Sequence, residues 1–102
     1  MSYRVIFTPE AEEQLLALYR YIRQQASPDI GDRFTDAVVA YCEKLQDFPH
    51  RGTPRDDLQL GRRTLAFRRR VTIAYTVEAD QVAILGVFYG GQDFESVLLV
   101  DE

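Results

Sequence analysis

Two short stretches, Thr8-Pro9-Glu10 and Ser27-Pro28-Asp29, restrict this chain more than any other feature. Each supplies the parts of a helix start: a hydroxyl N-cap, a proline at the first helical position, and acids in the positively polarised first turn. Behind the first, Ala11, Leu15, Leu18, Tyr19 and Ile22 recur at helical spacing. Behind the second, Ile30, Phe34, Ala37, Val38, Tyr41, Cys42, Leu45 and Phe48 form one apolar stripe, which Pro49 ends. Two amphipathic helices joined by a turn near Ala26 and Ser27 make a helical hairpin. A hairpin with one apolar side must bury that side against another layer.

The rest of the sequence predicts that layer. "YRVIFT" alternates, with Tyr3, Val5 and Phe7 on one face and Arg4 and Ile6 on the other, and reads as a first strand. Three more candidates follow the helices: Arg63 to Phe67, Arg70 to Val77, and Val82 to Tyr89. The last is apolar on both faces and is expected in the sheet interior. Glu78 to Gln81 reads as a tight turn that makes the last two strands a hairpin, and Gly90-Gly91 ends the third. The order β-α-α-β-β-β predicts one α+β domain over residues 1–102, with the hairpin on a mostly antiparallel four-stranded sheet. The loop "PHRGTPRDDLQLG" is long for so small a domain and is a candidate for function.

Charge is distributed by block. Residues 1–50 hold 5 basic and 8 acidic side chains, residues 51–70 hold 7 arginines and 2 aspartates, and residues 71–102 hold 6 acids and no Lys or Arg. The net charge of −4 argues against a nucleic-acid binder, whose affinity comes from displacing counterions from phosphates. A local cationic band suits an acidic protein partner. Arg62 and Arg63 are expected at one end of a strand and Arg69 and Arg70 at the turn closing its other end. The competing reading pairs these arginines with the chain's own Asp56, Asp57 or acidic tail, which is worth little for each pair.

Other signals are bland. Cys42, the single cysteine, excludes an internal disulfide and reads as a small buried side chain. His50 is a lone loop histidine, and no second ligand has metal spacing. The charged opening "MSYRVIFTPEAEE" lacks a signal-peptide pattern, and no apolar run spans a bilayer. A cytoplasmic protein without cofactor or metal is expected.

"FTPEAEEQLLALYRYI", "FPHRGTPRDDLQLGRR" and "VTIAYTVEADQVAILGVFYGGQD", in this order, resemble the RelE/ParE superfamily of bacterial toxins, and most closely its ParE, or plasmid-stabilisation, branch. The resemblance implies a toxin neutralised by a ParD-like antitoxin with a DNA-binding N-terminal dimer domain. The ParE branch blocks DNA gyrase by binding, whereas the RelE branch cuts mRNA on the ribosome. The cations that RelE-type toxins keep on the late strands and C-terminus have no counterpart here: Thr72 occupies one such position, and "YGGQDFESVLLVDE" contains 4 acids and no cation. A binding toxin without catalytic residues is therefore the expectation, with the endonuclease or a non-toxic antitoxin-binding relative as alternatives. The ParE pattern is itself incomplete, because its basic positions after the last strand read Tyr89-Gly90-Gly91-Gln92-Asp93. The resemblance implies an acidic antitoxin segment that lays a helix in a groove, strand addition at a sheet edge being a further mode. The candidate antitoxin contacts are Arg62, Arg63, Arg69, Arg70, Tyr19 and Phe34. The candidate target contacts are Tyr89, Gly90, Gly91, Gln92, Asp93 and Phe94.

Overall fold

The structure, a computed structural model, describes residues 3–90. Strand β1 (Arg4–Phe7) leads into helices α1 (Pro9–Gln25) and α2 (Pro28–Glu43). A 3-10 turn at Lys44–Gln46 follows, then strands β2 (Thr53–Pro54), β3 (Arg62–Phe67), β4 (Val71–Val77) and β5 (Gln81–Tyr89). The sheet order is β1-β5-β4-β3-β2, with β1 parallel to β5 and the other pairs antiparallel. The α+β architecture is the expected one, but the sheet has five strands rather than four. The extra strand is a two-residue pairing, Thr53 with Thr64 and Pro54 with Arg63, too short to leave any periodicity in the sequence.

Both helix starts form as their chemistry requires. The Thr8 hydroxyl accepts from the Ala11 amide at 3.2 Å and donates to the Ile84 carbonyl at 3.0 Å, which ties the base of α1 to β5. The Ser27 hydroxyl accepts from the Ile30 amide at 3.2 Å. The helices close tightly at Gly31, where a Cβ would lie 3.2 Å from the Tyr19 ring. Ala11, Leu18, Ile22, Val38, Cys42 and Leu45 then meet Val71, Ile73, Tyr75, Val82, Ile84 and Val87 in one core. Two residues of the expected stripe lie outside it. Ile30 is 49% exposed in the first turn of α2, and Phe48 is 67% exposed, because α2 ends at Glu43 and the 3-10 turn redirects the chain before Pro49.

The long loop is pinned from within. Tyr75, fully buried, donates its hydroxyl hydrogen to the Pro49 carbonyl and accepts from the Gly52 amide, both at 2.9 Å. Burial holds the Tyr75 phenol above its ordinary pKa. At Gly52 a Cβ would sit 2.5 Å from the Tyr75 hydroxyl, so only glycine fits. Strand β5 has one irregularity: Ala74 pairs with Gly86 and Tyr75 with Ile84, leaving Leu85 as the extra residue of a bulge. The side-chain oxygen of Gln14 on α1 takes the Val87 amide there, at 2.7 Å.

Candidate functional site

The β3–β4 turn carries arginines where glycine or asparagine is usual. Arg68 and Arg69 have φ values of 52° and 60°, and the Arg70 amide bonds the Phe67 carbonyl at 3.1 Å to close the turn. Two successive positive φ values suit the right-handed twist of the strands, as in a type I′ turn, but strain residues that have a Cβ. The Arg70 carbonyl in turn accepts from the Gly90 amide at 2.7 Å, which joins the turn to the end of β5.

Behind the turn the fold assembles a line of five rings: Tyr21, Tyr89, Phe34, Phe67 and Tyr41. Successive centroids are 5.4, 6.3, 5.8 and 4.9 Å apart, all tilted or edge-on, the arrangement that ring quadrupoles favour. Three arginines lie along it. The Arg51 guanidinium stands 5.2 Å from the Tyr41 centroid, Arg68 stands 4.8 Å from the Phe67 centroid, and Arg70 reaches the Tyr89 hydroxyl at 3.4 Å. At the Tyr21 end the line borders an apolar groove of about 480 Å³, lined by Ala17, Leu18, Tyr21, Val87, Tyr89 and Gly90.

Asp56 and Asp57 do not pair with Arg62, Arg63, Arg69 or Arg70, and the acidic tail, the other partner in the self-pairing reading, lies outside the described residues. Asp57 is taken by Arg55 in a two-bond fork of 3.0 and 2.9 Å, which pulls the Asp57 carboxyl below its ordinary pKa. Asp56 accepts from the Gly61 amide. Among the described residues no ion pair involves Arg51, Arg62, Arg63, Arg68, Arg69 or Arg70.

The structure sorts the candidate residues into three places. Arg69, Arg70, Phe34, Tyr89 and Gly90 come together at the turn. Arg62 and Arg63 lie at the far end of β3, roughly 20 Å away at about 3.3 Å per residue. Arg63 is committed to the loop there, donating to the carbonyls of His50 and Gly52 at 3.0 and 2.8 Å, and Arg62 bonds the Gln59 side chain. Tyr19 faces a different groove, between the two helices. Gly91, Gln92, Asp93 and Phe94 lie outside the described residues. Tyr21, an aromatic expected in the core or lining a groove, joins the turn surface, and Arg51 and Gln14 join it without having been candidates, because only long-range packing brings Arg51 to Tyr41 and Gln14 to β5.

Among the described residues, the titratable side chains in these ring and arginine contacts are arginines and tyrosines, with no His, Asp or Glu. The Cys42 thiol is fully buried and pushed up to about 12, first by burial and then by Glu43, so it is inert. No three His, Cys, Asp or Glu side chains among the described residues could hold a metal ion, and no described helix is long and apolar enough to cross a membrane.

This two-helix, five-strand layout recurs in solved toxin–antitoxin assemblies. A chain of the chromosomal ParDE toxin–antitoxin system from P. aeruginosa superposes with a TM-score of 0.77 at 21% identity, over 87% of this chain and 97% of that one. A chain of the RelBE2 toxin–antitoxin complex from Mycobacterium tuberculosis superposes with a TM-score of 0.69 at 25% identity, over 90% of this chain and 95% of that one. No curated protein matches the sequence. The model of the ParE toxin of the type II toxin–antitoxin system, parDE, matches residues 5–94, and the chain belongs to that family.

Proposed function

We propose that this ParE-family toxin acts by binding DNA gyrase in the cytoplasm, without chemistry of its own, and is neutralised by an antitoxin whose acidic, apolar segment covers the turn surface. The observation that carries the antitoxin contact is the set of arginines with no carboxylate partner among the described residues, interleaved with five rings beside an apolar groove. An amphipathic helix can set its apolar face in the groove while its carboxylates meet the guanidinium forks. Aromatic and arginine side chains are also the residues that dominate interface energies. Gyrase as the target is the reading that membership of the ParE toxin family supports.

Tyr89 and Gly90, candidates for target contact, share one surface with Phe34 and Arg70, candidates for antitoxin contact. A bound antitoxin would therefore mask the target contacts directly, and neutralisation would be steric.

One observation favours a second reading. Rings interleaved with arginines also form a platform for nucleic-acid bases, which suits a ribosome-dependent endonuclease, and RelBE2 is among the similar structures. Arg69→Glu with Arg70→Glu tests the antitoxin contact by calorimetry against the cognate antitoxin. Affinity should fall more than tenfold, and an unchanged value would remove these arginines from the interface.

A further inference from the structure

The outward face of the helical hairpin holds a second groove, of about 350 Å³, whose lining includes Glu12, Leu16 and Tyr19 of α1 and Asp32, Asp36 and Val39 of α2. Leu16 is 48% exposed in its apolar part, and no ion pair among the described residues involves Glu12, Asp32 or Asp36. Carboxylates around an apolar floor select a cation with an apolar stem, and arginine fits best, since its methylenes pack while its fork pairs two carboxylates.

The densest cation cluster in this chain is the arginine turn, and its tip is presented for such a contact. Arg69 is exposed, is held at φ 60°, and makes no side-chain hydrogen bond or ion pair among the described residues. The turn cannot fill the groove of its own molecule. Phe34 points from α2 toward the turn, where it meets Phe67. Asp32 and Asp36 lie two residues to either side and so project about 160–200° away round the helix. Turn and groove therefore face different directions.

We infer that the groove receives the arginine turn of a second copy of this chain, in a head-to-tail contact. Such a contact is heterologous and extends into a chain or closes into a ring. It is small, so it falls in the weak, transient class with dissociation constants of roughly micromolar to millimolar order. It does not depend on the proposed antitoxin contact. Both use Arg69 and Arg70, so an acidic partner on the turn would dissolve the assembly.

Sedimentation velocity on the purified chain, with no other protein present, tests this. At about 20 mM salt the weight-average sedimentation coefficient should rise with protein concentration, and at about 500 mM it should return to the monomer value, since exposed pairs are screened there. Two neutral variants make the test specific. Asp32→Asn with Asp36→Asn removes two of the groove's three carboxylates, and Arg69→Asn with Arg70→Gln removes two of the turn's three guanidinium groups. All four positions are exposed, so both variants should keep the wild-type circular dichroism. Each alone should stay monomeric at low salt. Mixed, they should form a 1:1 pair that does not grow, because one intact turn and one intact groove remain. A monomeric wild type at low salt, self-association of either variant as strong as that of the wild type, or a mixture that stays separate would each overturn the proposal.

Discussion

The strain stored in the arginine turn can be measured. Arg68 and Arg69 sit at φ 52° and 60°, where a residue with a Cβ costs about 1–2 kcal/mol. Replacing them by Asn and Gly supplies residues that accept this backbone conformation. Glycine returns about 0.4–1 kcal/mol of that gain, because it loosens the unfolded chain. Removing Arg68 also gives up its contact with the Phe67 ring at 4.8 Å, worth about 0.5–1 kcal/mol. A Gln/Gln variant at the same positions loses the same charges and contact but keeps the strain, so the difference between variants isolates the backbone. That difference should be roughly 1–3 kcal/mol in favour of Asn-Gly. At about 4–8 °C per kcal/mol for a domain near this size, the melting temperature should be higher by at least about 4 °C. Thermal unfolding followed by circular dichroism in moderate salt gives the number. Equal melting temperatures for the two variants would mean that the turn stores no strain. If strain is retained for recognition, the Asn-Gly protein should be more stable and also bind antitoxin more weakly.

Further outcomes concern the loop, the core and the rings. Tyr75→Phe leaves the Gly52 amide and the Pro49 carbonyl without their partner and should cost about 2–4 kcal/mol in urea unfolding, with lost exchange protection at Gly52. Stability should fall as pH rises above about 9. The folded state raises the Cys42 thiol from 9.0 to about 12 and raises the Tyr75 phenol, so the unfolded chain loses these protons first. The slope approaches about 1.4 kcal/mol per pH unit for each group, and Cys42→Ala should flatten the part that begins near pH 9. Phe34→Ala removes the ring between Tyr89 and Phe67 and should weaken antitoxin binding at least tenfold by calorimetry. An unchanged affinity would mean that the line of rings is core packing only.

The legible parts of the fold were those with local causes. Thr8-Pro9 and Ser27-Pro28 specify helix starts within four residues, and alternation at Val71, Ile73 and Tyr75 specifies a buried strand face. The fifth strand has no local cause, because Thr53 and Pro54 become a strand only by meeting Arg63 and Thr64. Ile30 and Phe48 fit the helical period yet leave the core, since periodicity cannot say where a layer ends. Of the candidate site, Arg69 and Arg70 were placed correctly at the turn because hairpin geometry put them there. Separation of Arg62 and Arg63 from that turn was equally legible, but their use in fastening the loop was not. The pairing of Tyr21 with Tyr89, and of Gln14 with the bulge, joins residues more than sixty positions apart and has no sequence signature.

The central claim is that this toxin works by occupancy. The most direct measurement runs purified protein side by side in a gyrase supercoiling reaction and in a translating-ribosome reaction with a defined mRNA, each with and without antitoxin. The account predicts loss of supercoiling, intact transcript, and restoration of supercoiling by antitoxin. Specific cuts in the transcript with supercoiling unaffected would contradict it.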